Sequence, residues 1–245
     1  MISVSQDGIQ VRLREYTTDQ HVFEDNLIRR PMLKHLVIGE GNWLDCGGYI
    51  GTFALFLLKG GAAGVFSVEA LPDNVVCYRE NLALNSYKPV LYEGAVLNEP
   101  AQNTVELHMT SRAQGQGYKA FSASTIYSRW KREHLVITVP TIAFDVMVAR
   151  AVKKLGVRRP WNLKLDIEGA ELDILERADL SLFQQIYFEY HFHGDASYRR
   201  ANNILKRLEG LGFTMHVSRK LPKTGKAVHY RELIFLGWAS RGSVR

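Results

Sequence analysis

The residues with the most chemical potential in this sequence lie in WNLKLDIEGAE, positions 161–171. Side chains alternate between the two faces of a β-strand. Leu163, Leu165 and Ile167 would therefore share one face, and Lys164, Asp166 and Glu168 the other. An inner parallel strand is expected to be apolar on both faces. Three charges on one face break that rule, and such breaks are expected at functional sites. The later run QQIYFEYHF (184–192) repeats the alternation, with Tyr187, Glu189 and His191 on one face. If the two strands are neighbours, about 4.8 Å apart, Glu189 and His191 face Asp166 and Glu168. Carboxylates clustered with a lysine and a histidine have coupled proton affinities. Such a cluster suits the removal of a proton from a hydroxyl. Asp166 is the first catalytic candidate. Lys164 would polarise the hydroxyl or keep Asp166 ionised, and Glu189 and His191 are further proton acceptors. A structural ion-pair network is the alternative. Glu171 falls in the first turn of the next helix, where the helix dipole favours an acid, and reads as a cap.

A second constellation is DCGGYIG (45–51), set between the apolar run NWLDC (42–46) and the helical pattern YIGTFALFLLKG (49–60). Glycines allow a sharp turn and a close approach of backbone to ligand, and the helix behind offers free N–H groups. In an open α/β sheet this crevice at the strand's carboxyl end is where ligands sit. Glu69 ends the next strand, GVFSVEA (64–70). A carboxylate there can accept both hydroxyls of a ribose, which points to a nucleoside-containing cofactor. The dinucleotide fingerprint would need Gly at 46, 48 and 51, and Cys46 breaks it. Asp45, ahead of the glycines, suits the cationic amine end of S-adenosylmethionine, which carries no pyrophosphate. A dinucleotide and a plain strand–turn–helix remain the alternatives.

These groups need a frame to hold them. From residue 42 onward apolar runs alternate with helical patterns, the signature of βα units and a doubly wound, parallel α/β sheet. PDNVVCYRENLALN (72–85) opens with Pro and Asp as a helix start, and KPVLYEGAV (88–96) reads as a third strand. TVELHMT (104–110) and LVITVPTIAF (135–144) read as strands, and 142–156 as a helix ended by Gly156. Between those strands, 110–134 reads as an inserted polar loop, long enough to be functional or disordered, and we expect a lid. Helices at 170–178 and 195–213 and two closing strands complete the core. Residues 1–40, a strand (IQVRLRE) and a helical segment, would cap the sheet. The whole, 1–245, reads as one domain with its core at 41–240.

Net charge is +6, from 31 Lys and Arg against 25 Asp and Glu. The excess gathers at 128–134, 152–160 and 218–226. A basic surface raises the odds of an anionic partner, against the alternative of a merely solvated surface. No apolar stretch of about 20 residues spans a membrane. The N-terminus lacks the apolar run of a secretory signal, so a cytoplasmic location is expected. Cys46 and Cys77 have neither metal-ligand nor disulfide-framework spacing. No metal site is expected, and His108 and His193 read as ordinary surface or loop histidines.

DCGGYIG (45–51), VEALPDN (68–74), ENLALN (80–85), KLDIEGAE (164–171) and FEYH (188–191) together resemble the FkbM family of methyltransferases, in order and spacing, over roughly residues 40–215. The resemblance implies a seven-stranded, Rossmann-like methyltransferase fold, S-adenosyl-L-methionine as cofactor, and transfer of methyl to oxygen. It implies cofactor contacts at Asp45, Gly47, Gly51 and Glu69, and an adenine-side contact near Gly94 and Ala95. The family's first motif usually reads D-x-G-A-N-x-G. Here Gly48 replaces Ala and Tyr49 replaces Asn, so the methionine end would be held differently. Glu69-Ala70 stands where Glu-Pro is usual. The acceptor would be a hydroxyl on a sugar, a small metabolite or an RNA ribose. Trp130 among basic residues keeps RNA in view, since bases stack on aromatic side chains. The rival reading is a non-catalytic methyltransferase-like module that binds nucleic acid or a protein assembly. Tyr49 favours it; Asp45, Glu69 and the charged strand argue against it.

Overall fold

The computed structural model of the protein describes residues 1–29, 36–39, 41–112, 118–125, 134–191, 195–217 and 234–240. The chain opens with an antiparallel hairpin, β1 (Ile2–Gln6) and β2 (Ile9–Leu13). Its turn is Asp7-Gly8, both at positive φ, the geometry of a type I′ hairpin turn. The single strand expected at IQVRLRE is therefore half of a hairpin. A short helix, α1 (Asp19–Phe23), and a π-helical turn (Glu24–Arg29) follow.

The core then alternates as the periodicity predicts: β3 (Asn42–Cys46), α2 (Thr52–Lys59), β4 (Gly64–Glu69), α3 (Pro72–Leu84) and β5 (Leu91–Glu93). After a second small sheet it resumes with α4 (Phe144–Leu155), β10 (Trp161–Leu165), α5 (Glu171–Arg177), β11 (Phe183–His191) and α6 (Asp195–Gly210). β12 (Thr214–Val217) and β13 (Ile234–Ser240) close the chain. The main sheet has seven strands in the order β12-β13-β11-β10-β3-β4-β5. Five are parallel, and β13 runs antiparallel to both its neighbours.

The period-2 alternation of the inner strands feeds two cores. Leu44, Cys46, Phe66, Val68, Leu163 and Leu165 pack with α4, α5 and α6 on one face. Trp43 and Val65 pack with α2, α3, β2 and Leu27 on the other. The sheet is therefore doubly wound. Chain order reverses between β3 and β10, which makes their carboxyl ends the switch-point crevice where ligands bind in such sheets. No helix among the described residues is long and apolar enough to cross a membrane.

Two expectations are corrected here. The third strand does not run through 88–96. It breaks at Gly94 into β5 and β6 (Ala95–Leu97), and β6 joins the second sheet. A Cβ at Gly94 would lie 2.6 Å from the Pro140 carbonyl oxygen, so the close crossing of another strand dictates the break. That strand is β9 (His134–Ala143), which pairs with β6 and with β7 (Thr104–Arg112). The segment 110–134 is not wholly loop either, since β8 (Tyr118–Thr125) pairs antiparallel with β7. Tyr118, Phe121 and Thr125 favour a strand, and the edge of β7 offers it a partner. The sheet order is β6-β9-β7-β8. Residues 113–117 and 126–133, Trp130 included, lie outside the described residues, as does the whole basic run at 218–226.

The N-terminal hairpin docks through two asparagines of ENLALN. Asn81 accepts from Arg12 N–H (2.7 Å) and donates to Arg12 C=O (3.2 Å). One helical turn on, Asn85 treats Gln10 the same way, at 2.9 and 2.7 Å. The two amides act as a substitute neighbouring strand along the edge of β2. Asn81 also donates to the Ile50 carbonyl (2.9 Å), which ties the hairpin to the glycine turn.

Candidate active site

The turn between β3 and α2 holds three residues at positive φ: Gly47 (94°), Tyr49 (48°) and Gly51 (86°). The N–H groups of Gly47 and Gly48 both donate to the Val68 carbonyl at 2.9 Å. A Cβ at Gly47 would lie 1.9 Å from the Asp166 carbonyl oxygen, and one at Gly51 2.8 Å from Leu82 Cδ1. These glycines therefore let the turn pack against α3 and against the segment after β10.

That packing brings Asp45, Lys164 and Asp166 together. Asp45 is wholly buried. Its Oδ2 accepts from the Ser67 hydroxyl (2.9 Å), which accepts in turn from Tyr78 (2.8 Å). Oδ1 carries no hydrogen bond and lies 3.4 Å from Lys164 Nζ. Lys164 Nζ donates to the Gly47 carbonyl (2.5 Å), stands 3.5 Å from Asp166 Oδ2, and lies 5.5 Å from the centre of the Phe53 ring. The lysine side chain is only 6% exposed, whereas that of Asp166 is 33% exposed. Burial disfavours the ammonium, but Asp166, Asp45 and Glu189 outweigh it and hold Lys164 above the ordinary lysine range. Lys164 is a fixed internal cation, and Asp166 is the partner that faces outward.

β10 and β11 pair in parallel with Lys164 opposite Tyr187 and Leu165 opposite Phe188. Beyond that register Glu189 is half-buried, and together with Asp166 it acts on the Lys164 ammonium. Tyr187 stacks on Phe53, with centroids 5.8 Å apart and planes 13° apart. Burial pushes its hydroxyl pKa up, and Glu189 and Asp166 push it further, so the phenol stays protonated. Glu168 does not share the strand face. β10 ends at Leu165, and Glu168 sits at φ 55° in the turn before α5. The buried Glu171 accepts from Gly169 N–H (2.6 Å), which ties the turn ahead of α5 rather than capping the helix's own N–H groups. His191 pairs through its backbone with Ile234 of β13, and its side chain lies outside the described residues.

Glu69 is buried, and both its oxygens are engaged. Oε2 accepts from Tyr49 N–H (2.8 Å), and Oε1 from Leu71 N–H (2.9 Å) and the Asn74 amide (3.1 Å). Burial raises its pKa, and these donors offset that only in part. A carboxylate has about four acceptor positions, so one remains. Gly94 N–H donates to the Glu69 carbonyl (2.9 Å), which puts the start of β6 just past this acid. Ala95 is buried with Leu71, Leu107 and Val139. Sequence reasoning missed Arg14, Asp19 and Asn74, which surround Glu69 and Tyr49. Asn74 stood in VEALPDN, whereas nothing local marked Arg14 or Asp19. Away from this cluster, a cavity of about 480 Å³ opens on the second sheet, lined in part by Leu97, Thr104, Glu106, His108 and Thr138. Its lining includes none of the site residues read from the sequence.

Residues 45–215 match the family model described as the methyltransferase FkbM domain. No curated protein matches the sequence. Among solved structures, the chain is similar to TYW2 of M. jannaschii in complex with AdoMet, at 14% identity and a TM-score of 0.47, over 97% of this chain and 84% of that one. It is similar to precorrin-6y C5,15-methyltransferase from Geobacter metallireducens GS-15, at 12% identity and a TM-score of 0.46, over 94% and 93%. It is also similar to magnesium protoporphyrin IX methyltransferase from Synechocystis PCC 6803 with bound SAM, at 12% and 0.41, over 91% and 79%. The residues present fit S-adenosylmethionine. Oδ1 of Asp45 makes no hydrogen bond and has the Lys164 ammonium 3.4 Å away, so beneath the turn it keeps acceptor capacity suited to a cationic amine. Glu69 keeps an acceptor position for a ribose hydroxyl. With more than two thirds of its length matched, the chain belongs to the FkbM methyltransferase family, with S-adenosylmethionine as its methyl donor.

Proposed function

We propose that the protein methylates a hydroxyl oxygen of a sugar, a small metabolite or an RNA ribose, and that residues 1–245 work as a single domain. The observation that carries this reading is the pair of half-buried carboxylates, Asp166 and Glu189, that act on the buried Lys164 cation at the switch-point crevice. The bound cofactor supplies an electrophilic methyl carbon open to in-line attack. A hydroxyl is a poor nucleophile until its proton begins to leave. Asp166 takes that proton. Lys164 Nζ, 3.5 Å from Asp166 Oδ2, holds that carboxylate in place, and Glu189 is the alternative acceptor. Much of the acceleration in such a reaction comes from positioning. Asp45, Gly47, Gly51, Glu69, Gly94 and Ala95 are proposed to hold the cofactor.

General-base catalysis is typically worth about 10²–10⁴-fold. Asp166→Asn should lower turnover by at least that lower bound, with an unchanged affinity for S-adenosylmethionine in calorimetry. Glu189→Gln should also lower turnover. Wild-type rates in both variants would assign the charged pair to structure alone. Glu69→Ala should weaken cofactor binding by about 1.5–3 kcal/mol, the scale of a hydrogen bond to a charged group. A second reading, a non-catalytic module, draws on the three hydrogen bonds that Glu69 receives from its own chain. A wild-type protein that fails to bind S-adenosylmethionine would favour it.

A further inference from the structure

Tyr49 holds a backbone conformation that its side chain does not favour. Its φ of 48° lies in the left-handed region, where Asn is enriched and bulky residues are outliers. Such a residue persists only where its surroundings over-determine it. Here they come from the N-terminal segment. The Tyr49 hydroxyl donates to Asp19 Oδ1 (2.6 Å), and the Thr18 hydroxyl is 3.0 Å away. The Arg14 guanidinium lies 5.6 Å from the centre of the Tyr49 ring.

Asp19 has no exposed surface. It accepts from the backbone N–H (2.8 Å), Nε (2.9 Å) and Nη2 (2.8 Å) of Arg14. Nη2 also donates to Asn74 Oδ1 (2.9 Å), and the Asn74 amide nitrogen donates to Glu69 Oε1 (3.1 Å). Glu69 Oε2 accepts from Tyr49 N–H, which closes the circuit. Tyr49, Asp19, Arg14, Asn74 and Glu69 thus form one ring of hydrogen bonds. The carboxylate read as the ribose acceptor is a member of it.

We infer that Arg14 and Asp19 are positioning residues for the cofactor: they pin Tyr49 in its left-handed geometry, so that its N–H and the Asn74 amide fix the orientation of the Glu69 carboxylate. The inference rests on the reading of Glu69 as the ribose acceptor. It also accounts for Tyr where the family pattern has Asn. An Asn takes the left-handed conformation readily, whereas this Tyr takes it because its hydroxyl is anchored. The N-terminal segment is thereby a clamp on the cofactor turn.

Calorimetric titration with S-adenosylmethionine, alongside thermal melting of the full chain, tests this. Tyr49→Phe removes only the hydroxyl, and should weaken affinity about tenfold, the effect of one lost bond to a charged partner. Asp19→Asn should weaken it similarly. The two together should do little more than either alone, because both open the same ring. Glycine adopts positive φ freely and keeps its N–H. Tyr49→Gly in the Asp19→Asn background should therefore restore affinity while the melting temperature stays low. A purely structural role predicts unchanged affinity in folded Tyr49→Phe, and that result overturns the clamp. So does an affinity that Tyr49→Gly fails to restore. If Glu69→Ala itself binds like wild type, the ribose reading falls. If Glu69→Ala weakens binding and Tyr49→Phe does not, only the clamp falls.

Discussion

Glu69 and Asp19 are both buried carboxylates, and their surroundings move them in opposite directions. Burial dominates at Glu69 and raises its pKa, so in the folded protein it takes up a proton above the ordinary value of about 4.3. Its ionisation therefore opposes folding as pH rises through the raised value. Its service as a ribose acceptor is lost as pH falls through the same value. At Asp19 burial also acts upward, but the bonds from Arg14 and Tyr49 outweigh it and lower the pKa. Asp19 contributes stability that is present above its unfolded value of about 3.9 and is lost as pH falls through the lower folded value. On acidification the cofactor affinity should thus decline first, and the contribution of Asp19 to stability only at lower pH. Calorimetry and urea melts across about pH 3–8 would separate the two, and coincident declines would refute the ordering. Lys164 and Asp166 were legible because charges on an inner strand violate its packing rule. Glu168 misled because a period-2 pattern does not reveal where a strand stops. Arg14 and Asp19 stayed hidden because Asn74 is 60 residues from Arg14 and Tyr49 is 30 from Asp19.

Among the elements, the inner strands and the helices from α2 to α6 follow directly from apolar periodicity. The misses share a cause: they depend on a neighbour. β8 is polar and forms because β7 offers an edge. β5 and β6 divide because β9 crosses at Gly94. The first hairpin could have been read from Asp7-Gly8, a strong short-range turn signal. Docking of that hairpin gives a graded prediction. Asn81 is buried and serves both Arg12 and Ile50, so Asn81→Ala should cost about 2–3 kcal/mol in urea unfolding, as buried backbone groups lose their partners. Asn85, at the exposed end of the same edge, should cost no more than about 1 kcal/mol. Equal losses would mean that the asparagines do not act as a strand substitute. The β7–β8 hairpin is the remaining candidate for an acceptor lid. Deleting residues 113–117 should lower turnover and leave cofactor affinity intact; an unfolded product would make the β7–β8 pair structural instead.

At the scale of the whole molecule, the charge distribution bears on the acceptor. The crevice gathers Asp45, Asp166 and Glu189 around one lysine, while the chain as a whole carries +6. An anionic acceptor would be drawn by the basic surface and would present a neutral hydroxyl to the acidic crevice. If the acceptor is RNA, its affinity should fall steeply with added salt as counterions are released. A small neutral acceptor should show a nearly flat dependence. Filter binding of an RNA oligonucleotide across a salt series distinguishes them, and a flat response would leave the basic residues as solubilising surface.

The contact between Gly47 and the Asp166 carbonyl has a consequence for how this protein can change over time. Two loops 119 residues apart touch backbone to backbone, with no room between them for even a methyl group. Neither loop can lengthen, or accept a side chain at Gly47, without moving the other, and Lys164 bonds the Gly47 carbonyl from the same side. The glycine turn and the charged turn are therefore sterically bound to change together. Specificity has more room to diversify away from this contact, as in the second sheet, where a cavity opens. A graft that exchanged one turn between relatives without its counterpart would carry a collision into the catalytic crevice.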